Sequence, residues 1–369
     1  MLKEYMGVLN CNEDDSKMSS ITHKRTLASV PIAGRYRIID FALSNMVNSG
    51  INKVGIFTQS KSRSLVDHLG SGKPWDLDRK LNGLFVFNFG ISSSSLDDID
   101  MFKNNMEYFH QSWQTKVVLA SSYMLSNINY IEAAKYHEES GNDITVVYKK
   151  VEDGKKRFIN CDVLSMDNNE RILSVGKNIG IQNNLDICME MFLMKKDTFI
   201  NLVYQCIETG FCRNIKEAIY KSVNNYKIGG FEYKGYLECI NSIDAYYKAN
   251  MNMLEAKVLR EVFFNNGPVY TKVKDEAPTK YSKDSKVSNC LIANGCLIEG
   301  KVENSIISRR VVIHKGAEVK NCIIMQSCEI KEGAKLTNII MDKNVVIEKD
   351  KELKGDSEFP LIIEKKALF

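Results

Sequence analysis

The sequence predicts an α/β domain built on a Rossmann-like mixed sheet, followed by a C-terminal left-handed parallel β-helix. Two observations carry this. From Tyr5 to Lys150, short apolar runs alternate with segments of helical periodicity, the pattern of strands joined by crossover helices. Later an asparagine-led tetrad recurs: NCLI at Asn289, NSII at Asn304, NCII at Asn321 and NIIM at Asn338, at intervals of 15, 17 and 17 residues. Between these, Ile298, Ile313, Val319, Ile330, Leu336, Ile347 and Leu353 keep close to a six-residue period, and Gly300, Gly316 and Gly333 fall near the expected corners. Three such steps per turn make a β-helix, each coil burying its apolar corner on the next. About four coils are expected, and their open ends favour oligomerisation.

Composition narrows the function classes. The chain has 369 residues, enough for two domains, with 44% hydrophobic and 26% charged residues. Fifty Lys and Arg against 46 Asp and Glu leave a net charge of +4, too balanced to suggest a nucleic-acid partner. No apolar run reaches a membrane span and the N-terminus shows no export signal, so a cytoplasmic location and free thiols for all ten cysteines are expected.

The first domain is placed at residues 1–264, a linker at 265–285 and the β-helix at 286–369. Residues 5–9 (YMGVL) read as the first buried strand, followed by an irregular polar stretch. The run PIAGRYRIIDFALSNMVNSG, Pro31 to Gly50, gives an arginine-bearing loop and a helix, Ile38 to Val47, stopped at Gly50. Strands are expected at 54–58, 85–89, 117–120 and 143–150, and helices at 64–69, 105–114 and 128–141. Ser92 to Ser95, with Asp97, Asp98 and Asp100, reads as a polar loop. Residues 158–192 read as a β-rich insertion. Helices at 197–207, 215–223 and a single long one at 244–261 precede the Pro-containing, charged linker. Ligands of such sheets bind beyond the carboxyl ends of the strands, so the loop after Leu9 and the Ser121-Ser122-Tyr123 turn mark the site.

These features resemble glucose-1-phosphate adenylyltransferase (ADP-glucose pyrophosphorylase), a nucleotidyltransferase family, over essentially the whole chain. The best anchors are Pro31 to Gly50, SGKPWDLDR (Ser71 to Arg79), AYYKANMNML (Ala245 to Leu254), GPVYT (Gly267 to Thr271) and the repeats. The resemblance implies synthesis of ADP-glucose from ATP and glucose 1-phosphate with Mg²⁺, for glycogen or starch.

Several functional positions depart from the family pattern. Active members carry a GGxGxRL loop after the first strand, whose amides cradle phosphates. Here Cys11 to Lys17 reads CNEDDSK, with no glycine and with Glu13, Asp14 and Asp15 where phosphates would lie. Like charges ~4 Å apart near a protein surface cost about 4 kcal/mol. The loop arginine aligns with Ser16, and the family Lys-Pro with Leu27-Ala28. The two metal-binding aspartates align with Tyr123 and Cys239, and a phenol and a thiol are poor ligands for Mg²⁺. Together these losses resemble the GlgD-type branch, whose members are non-catalytic, regulatory partners of an active GlgC-type subunit. The expected role is therefore a silent glycogen-biosynthesis subunit, with no cofactor of its own and Mg²⁺ only in the active partner. Its expected assembly is a heterotetramer or homo-oligomer. The alternative is an active nucleotidyltransferase with atypical site chemistry.

The remaining candidates bind rather than catalyse. Lys177 aligns with a lysine that contacts the sugar phosphate, and Glu190 replaces a small residue whose loss closes the sugar pocket. Arg35 and Arg37 match one part of the family's effector site, and Arg309 and Arg310 are candidates for the other. Cys290, Cys296, Cys322 and Cys328 follow the repeat period rather than zinc spacing. His314, the one histidine of the repeats, reads as a surface residue rather than as the general base of a hexapeptide acyltransferase.

Overall fold

The structure is a computed structural model that describes residues 1–59, 61–88, 97–210 and 212–368. It divides into two compact units, each assembled from separate stretches of chain. One comprises Met1–Glu13, Phe41–Cys239 and Asn265–Tyr270; the other comprises Asp14–Asp40, Ile240–Phe264 and Thr271–Phe369. Among the described residues no helix is long and apolar enough to cross a membrane.

The first unit is built on a nine-stranded sheet. Its strands are β1 (Tyr5–Asn10), β2 (Lys53–Thr58), β3 (Gly83–Asn88), β4 (Lys116–Ser121), β6 (Ile144–Val151), β7 (Asp162–Met166), β8 (Ile172–Lys177), β9 (Leu185–Lys195) and β10 (Ile228–Glu232). β5 (Met124–Ser126) and β11 (Leu237–Cys239) form a separate antiparallel pair. The main order is β8-β7-β9-β4-β1-β2-β3, with β6 and β10 branching from β9. β1, β2, β3 and β4 are parallel. β9 runs antiparallel to both β4 and β6, so the expected β-rich insertion is continuous with the sheet and makes it mixed.

Strands buried on both faces read as continuous apolar runs, and β2 is buried throughout. Helix α1 (Ile38–Asn48) covers β1 so closely that a Cβ on Gly7 would lie 2.4 Å from the Met46 sulfur. On the other side an aromatic group fills the core. Phe57 stacks on Phe109, Phe109 meets Phe199, and Phe102 packs edge-on against Phe199. α2 (Arg63–Leu69) follows β2, and α5 (Tyr130–Ser140) ends at Gly141 with φ +64°, the left-handed conformation in which glycine ends helices.

Three elements differ from those the sequence predicts. The acidic segment is α3 (Asp98–Lys103), not a loop; Asp97 caps it by accepting from the Asp100 amide, and carboxylates suit a helix N-terminus. The helix expected at 105–114 shrinks to α4 (Met106–His110). The long helix at 244–261 is two: α8 (Ile243–Asn252), capped by Ser242, and α9 (Ala256–Phe263), separated by a turn at Met253 to Glu255. Phe89 and Ser92 to Ser95 lie outside the described residues. α6 (Lys196–Thr209) and α7 (Ile215–Lys221) complete the first unit's larger helices.

In the second unit three parallel five-stranded sheets wind as a left-handed β-helix. There are five rungs rather than four, because the last lacks the asparagine motif; Gly355 precedes its final strand, Leu361–Ile363. The repeated asparagines sit at corners with φ between +46° and +54°, a region that disfavours most side chains but tolerates Asn. Their amides also bridge rungs: Asn289 donates to Asn304 at 2.8 Å and Asn321 to Asn338 at 3.0 Å, while Asn338 donates to the Gly355 carbonyl. Inside, Ile298, Ile313, Ile330 and Ile347 are fully buried.

Candidate functional site

β1 and β4 lie side by side in register, Leu9 opposite Ala120 and Asn10 opposite Ser121, so their following turns meet at one end of the sheet. The first turn folds inward. The Ser122 amide donates to a Glu13 carboxylate oxygen at 2.6 Å. Burial raises the Glu13 carboxyl to about 7, against the lowering effect of its Ser122 bonds. Beside it, burial and then Glu13 push the Cys11 thiol well up. Asn10 and Asn12 donate to the two oxygens of Asp98, 2.8 and 2.6 Å away. Asp98 is 1% exposed, and burial outweighs those bonds in raising its carboxyl. The acidic loop is therefore not uniformly solvated: Glu13 is drawn into the sheet end, whereas Asp14 stays exposed and accepts from the Ser16 amide.

Around the second turn, a chain of polar contacts occupies the end of the sheet. Tyr123 donates its hydroxyl to Glu190 at 2.6 Å. Lys216, from α7, also pairs with Glu190, and it reaches Asp162 at 2.8 Å. Lys177, on β8, pairs with the other Asp162 oxygen at 2.7 Å, and Tyr220 donates to Asp162 at 3.0 Å. Burial opposes the charge on Asp162, but Lys216 and Lys177 overcome it and hold its carboxyl below the usual range. Burial likewise opposes the Lys216 charge, and Glu190 and Asp162 together raise its pKa. Lys177 is thus brought to the site with its charge already matched.

Tyr123 and Cys239, the residues expected in place of metal-binding aspartates, come together at the small β5–β11 sheet, where Cys239 pairs with Met124, next to Tyr123. Burial and then Glu190 raise the Tyr123 phenol well above its ordinary value. Burial and the neighbouring Cys161 thiol do the same for Cys239. Both groups stay protonated near neutrality and offer no anionic oxygen, so they do not fit Mg²⁺. Among the described residues no cluster of three or more His, Cys, Asp or Glu is arranged to hold a metal ion.

Ser16 and Leu27 belong to the second unit: Ser16 is exposed and opens a short 3-10 turn, and Leu27 is 3% exposed. In this unit Arg35 lies over the Tyr36 ring, 5.0 Å from its centroid. Arg309 is held down by burial and then by Arg35, and its Nε is buried without a hydrogen-bond partner. Lys274 is lowered by burial, Arg309 and Arg37. Burial, Arg37 and Arg25 lower Lys343 to about 7. Arg35, Arg37 and Arg309 therefore share one basic neighbourhood with Lys274 and Lys343, two lysines the sequence reading missed because neither lies in a distinctive motif. Arg310 instead pairs with Glu276 through two bonds, of 2.9 and 2.7 Å. His314 sits between Glu329 at 2.9 Å and Glu299 at 3.7 Å. All ten cysteines are free thiols; Cys296, Cys322 and Cys328 donate to backbone carbonyls.

Comparison with known proteins agrees with this architecture. A profile described as nucleotidyl transferase matches residues 15–172, and one described as GlmU-like, C-terminal hexapeptide matches residues 275–359. The glycogen biosynthesis protein GlgD of Bacillus subtilis (strain 168) is 37% identical over 365 residues, covering 98% of this chain and 96% of its own. The chain belongs to the GlgD family of glycogen-biosynthesis proteins. The GlgD of Geobacillus stearothermophilus is 36% identical over 86% of this chain and 84% of its own. The glucose-1-phosphate adenylyltransferase of Mycoplasma mobile is 28% identical over 86% of this chain and 85% of its own. This GlgD-family chain thus combines a nucleotidyl transferase domain with a C-terminal hexapeptide-repeat domain.

Proposed function

We propose that this GlgD-family chain serves glycogen synthesis as a catalytically silent subunit that binds and modulates an active glucose-1-phosphate adenylyltransferase subunit. One observation carries the reading: at the sheet end, the Ser122 amide and the two lysines suited to phosphate or sugar contact are already taken by the chain's own carboxylates. Glu13 takes the Ser122 amide, and Asp162 and Glu190 take Lys177 and Lys216. Phosphoryl transfer depends on positioned cations and amides around the migrating group. With those groups committed, and with Tyr123 and Cys239 in place of carboxylates, an incoming triphosphate meets carboxylates rather than donors.

The purified chain, given ATP, glucose 1-phosphate and Mg²⁺, is expected to make no ADP-glucose above background. Co-expressed with an active subunit, it is expected to form a mixed complex by mass measurement and to change that subunit's kinetics. ADP-glucose formation by the chain alone would sink the reading. The basic neighbourhood of Arg35, Arg37, Arg309, Lys274 and Lys343 is the place where an anionic effector would act on such a complex, because Arg309, Lys274 and Lys343 are each lowered by burial and by neighbouring cations. Arg310, tied to Glu276, contributes less.

A further inference from the structure

A cavity of about 350 Å³, a volume within the range of small-molecule sites, is lined in part by Lys3, Asn48, Asn52, Trp75, Arg79 and Tyr270. Lys3 precedes β1, Asn52 precedes β2 and Arg79 precedes β3. These strands are parallel, so the cavity lies at their amino ends, opposite the turns that carry Glu13 and Ser122. Its wall is held from within. Trp75 is 1% exposed and meets His68 edge-on, with ring centroids 5.9 Å apart. Trp75 Nε1 and Asn52 Oδ1 are buried without a hydrogen-bond partner among the described residues, whereas buried polar atoms are normally paired. Asn48 donates to the Pro268 carbonyl and the Tyr270 amide donates to Ser44 Oγ, which ties the half-buried Tyr270 to α1. Arg79 donates Nε to the Asp76 carbonyl at 2.7 Å and pairs with the Asp76 carboxylate. That orients the guanidinium and leaves it further N–H donors. Lys3 and Arg79 are exposed, and with Asp76 as the one acid the lining carries more positive charge than negative.

We infer that this cavity binds a small organic anion with a flat apolar body, its charge held by Lys3 and Arg79 and its body set against Trp75 and Tyr270. Aromatic walls of this kind offer apolar area at low cost in side-chain freedom, and the two cations supply charge-assisted hydrogen bonds. A carboxylate and a phosphate ester share the chemistry required. Ligands of such sheets are expected beyond the carboxyl ends of the strands, so this is a second site at the opposite end. It is independent of the silent-subunit reading, and either can fail without the other.

The chain has two tryptophans, Trp75 and Trp113, so Trp113→Phe leaves Trp75 as a single fluorescent reporter on the cavity wall. The full-length Trp113→Phe protein is titrated through the millimolar range with two nitroaromatic quenchers, 4-nitrophenyl phosphate and 4-nitrobenzoate. Saturable quenching of Trp75 is expected, and which probe gives it identifies the anion as phosphate ester, carboxylate or both. Neutral 4-nitroanisole is expected to bind at least about tenfold more weakly, as is the better anion to a chain that also carries Lys3→Gln and Arg79→Gln. No saturable quenching by either anion, equal affinity for the neutral probe, or unchanged affinity in the Lys3 and Arg79 variant overturns the inference. Should that variant fold poorly once Asp76 loses its partner, Lys3→Gln alone removes an exposed charge; it is expected to weaken binding several-fold, and an unchanged affinity there overturns the inference equally.

Discussion

At the scale of single residues, the informative positions are those whose chemistry contradicts their surroundings. Glu13 is one. Its carboxyl, raised by burial to about 7, holds its proton in the folded chain up to about that pH, while the unfolded chain releases it near 4.5. Between those values the folded state binds more protons, so this group's contribution to stability falls as pH rises from about 4.5 to about 7. Glu13→Gln removes that term. Chemical denaturation at pH 5 and at pH 7.5 is expected to show the variant gaining about 2 kcal/mol relative to wild type across the interval, allowing for the partial exposure of Glu13. No difference between the two pH values would mean that Glu13 is ionised in the fold. Asn338 is a second such residue, 8% exposed at φ +54° and bonded to Asn321 and to Gly355. Asn338→Ala adds left-handed strain to lost hydrogen bonds and is expected to cost about 2–3 kcal/mol in urea titrations. Asn338→Gly keeps only the second loss and is expected to cost clearly less.

At the scale of elements, legibility followed periodicity. The strands at β1, β2 and β4 were readable because runs such as VGIFT have no polar interruption, and the β-helix because its asparagine corners and aliphatic positions repeat together. The misread elements failed for local reasons. Asp97, Asp98 and Asp100 resemble loop residues by composition, but a helix N-terminus welcomes the same carboxylates. The break between α8 and α9 has neither Pro nor Gly to announce it. At the candidate site, Tyr123, Glu190 and Lys177 were found from their place in a familiar pattern. Asp162 and Lys216 were not, because their partnership is made by distant stretches folded onto one sheet end. Arg25 and Asp342 show the same limit: they are 317 positions apart, yet Arg25 donates to both Asp342 oxygens at 2.7 Å, with each side chain 5% exposed. Asp342→Ala leaves a buried guanidinium unpaired and is expected to cost about 3–5 kcal/mol. The double variant Arg25→Met with Asp342→Leu is expected to recover most of that in the same denaturation measurement. Equal losses in single and double variants would show that packing, not charge pairing, dominates there.

At the scale of the whole molecule, the proposed silence rests on three separate features of the sheet end. One concerns hard metal ligands, at Tyr123 and Cys239; another concerns phosphate donors, with the Ser122 amide taken by Glu13; a third concerns the sugar side, with Lys216 and Lys177 held by Glu190 and Asp162. Each contributes separately to transition-state binding, so restoring one leaves the others limiting. Tyr123→Asp combined with Cys239→Asp supplies two oxygen ligands, but it places two more carboxylates beside Glu13 and Glu190. In water-poor surroundings like charges raise one another's pKa, so part of the new acid is protonated and weakly liganding. The doubly substituted chain is expected to produce no ADP-glucose from ATP, glucose 1-phosphate and Mg²⁺, measured by separating nucleotide products after long incubation. If those two substitutions alone give turnover well above the wild-type background, the phosphate and sugar contacts are still in working order, and the internal pairing described here does not obstruct them.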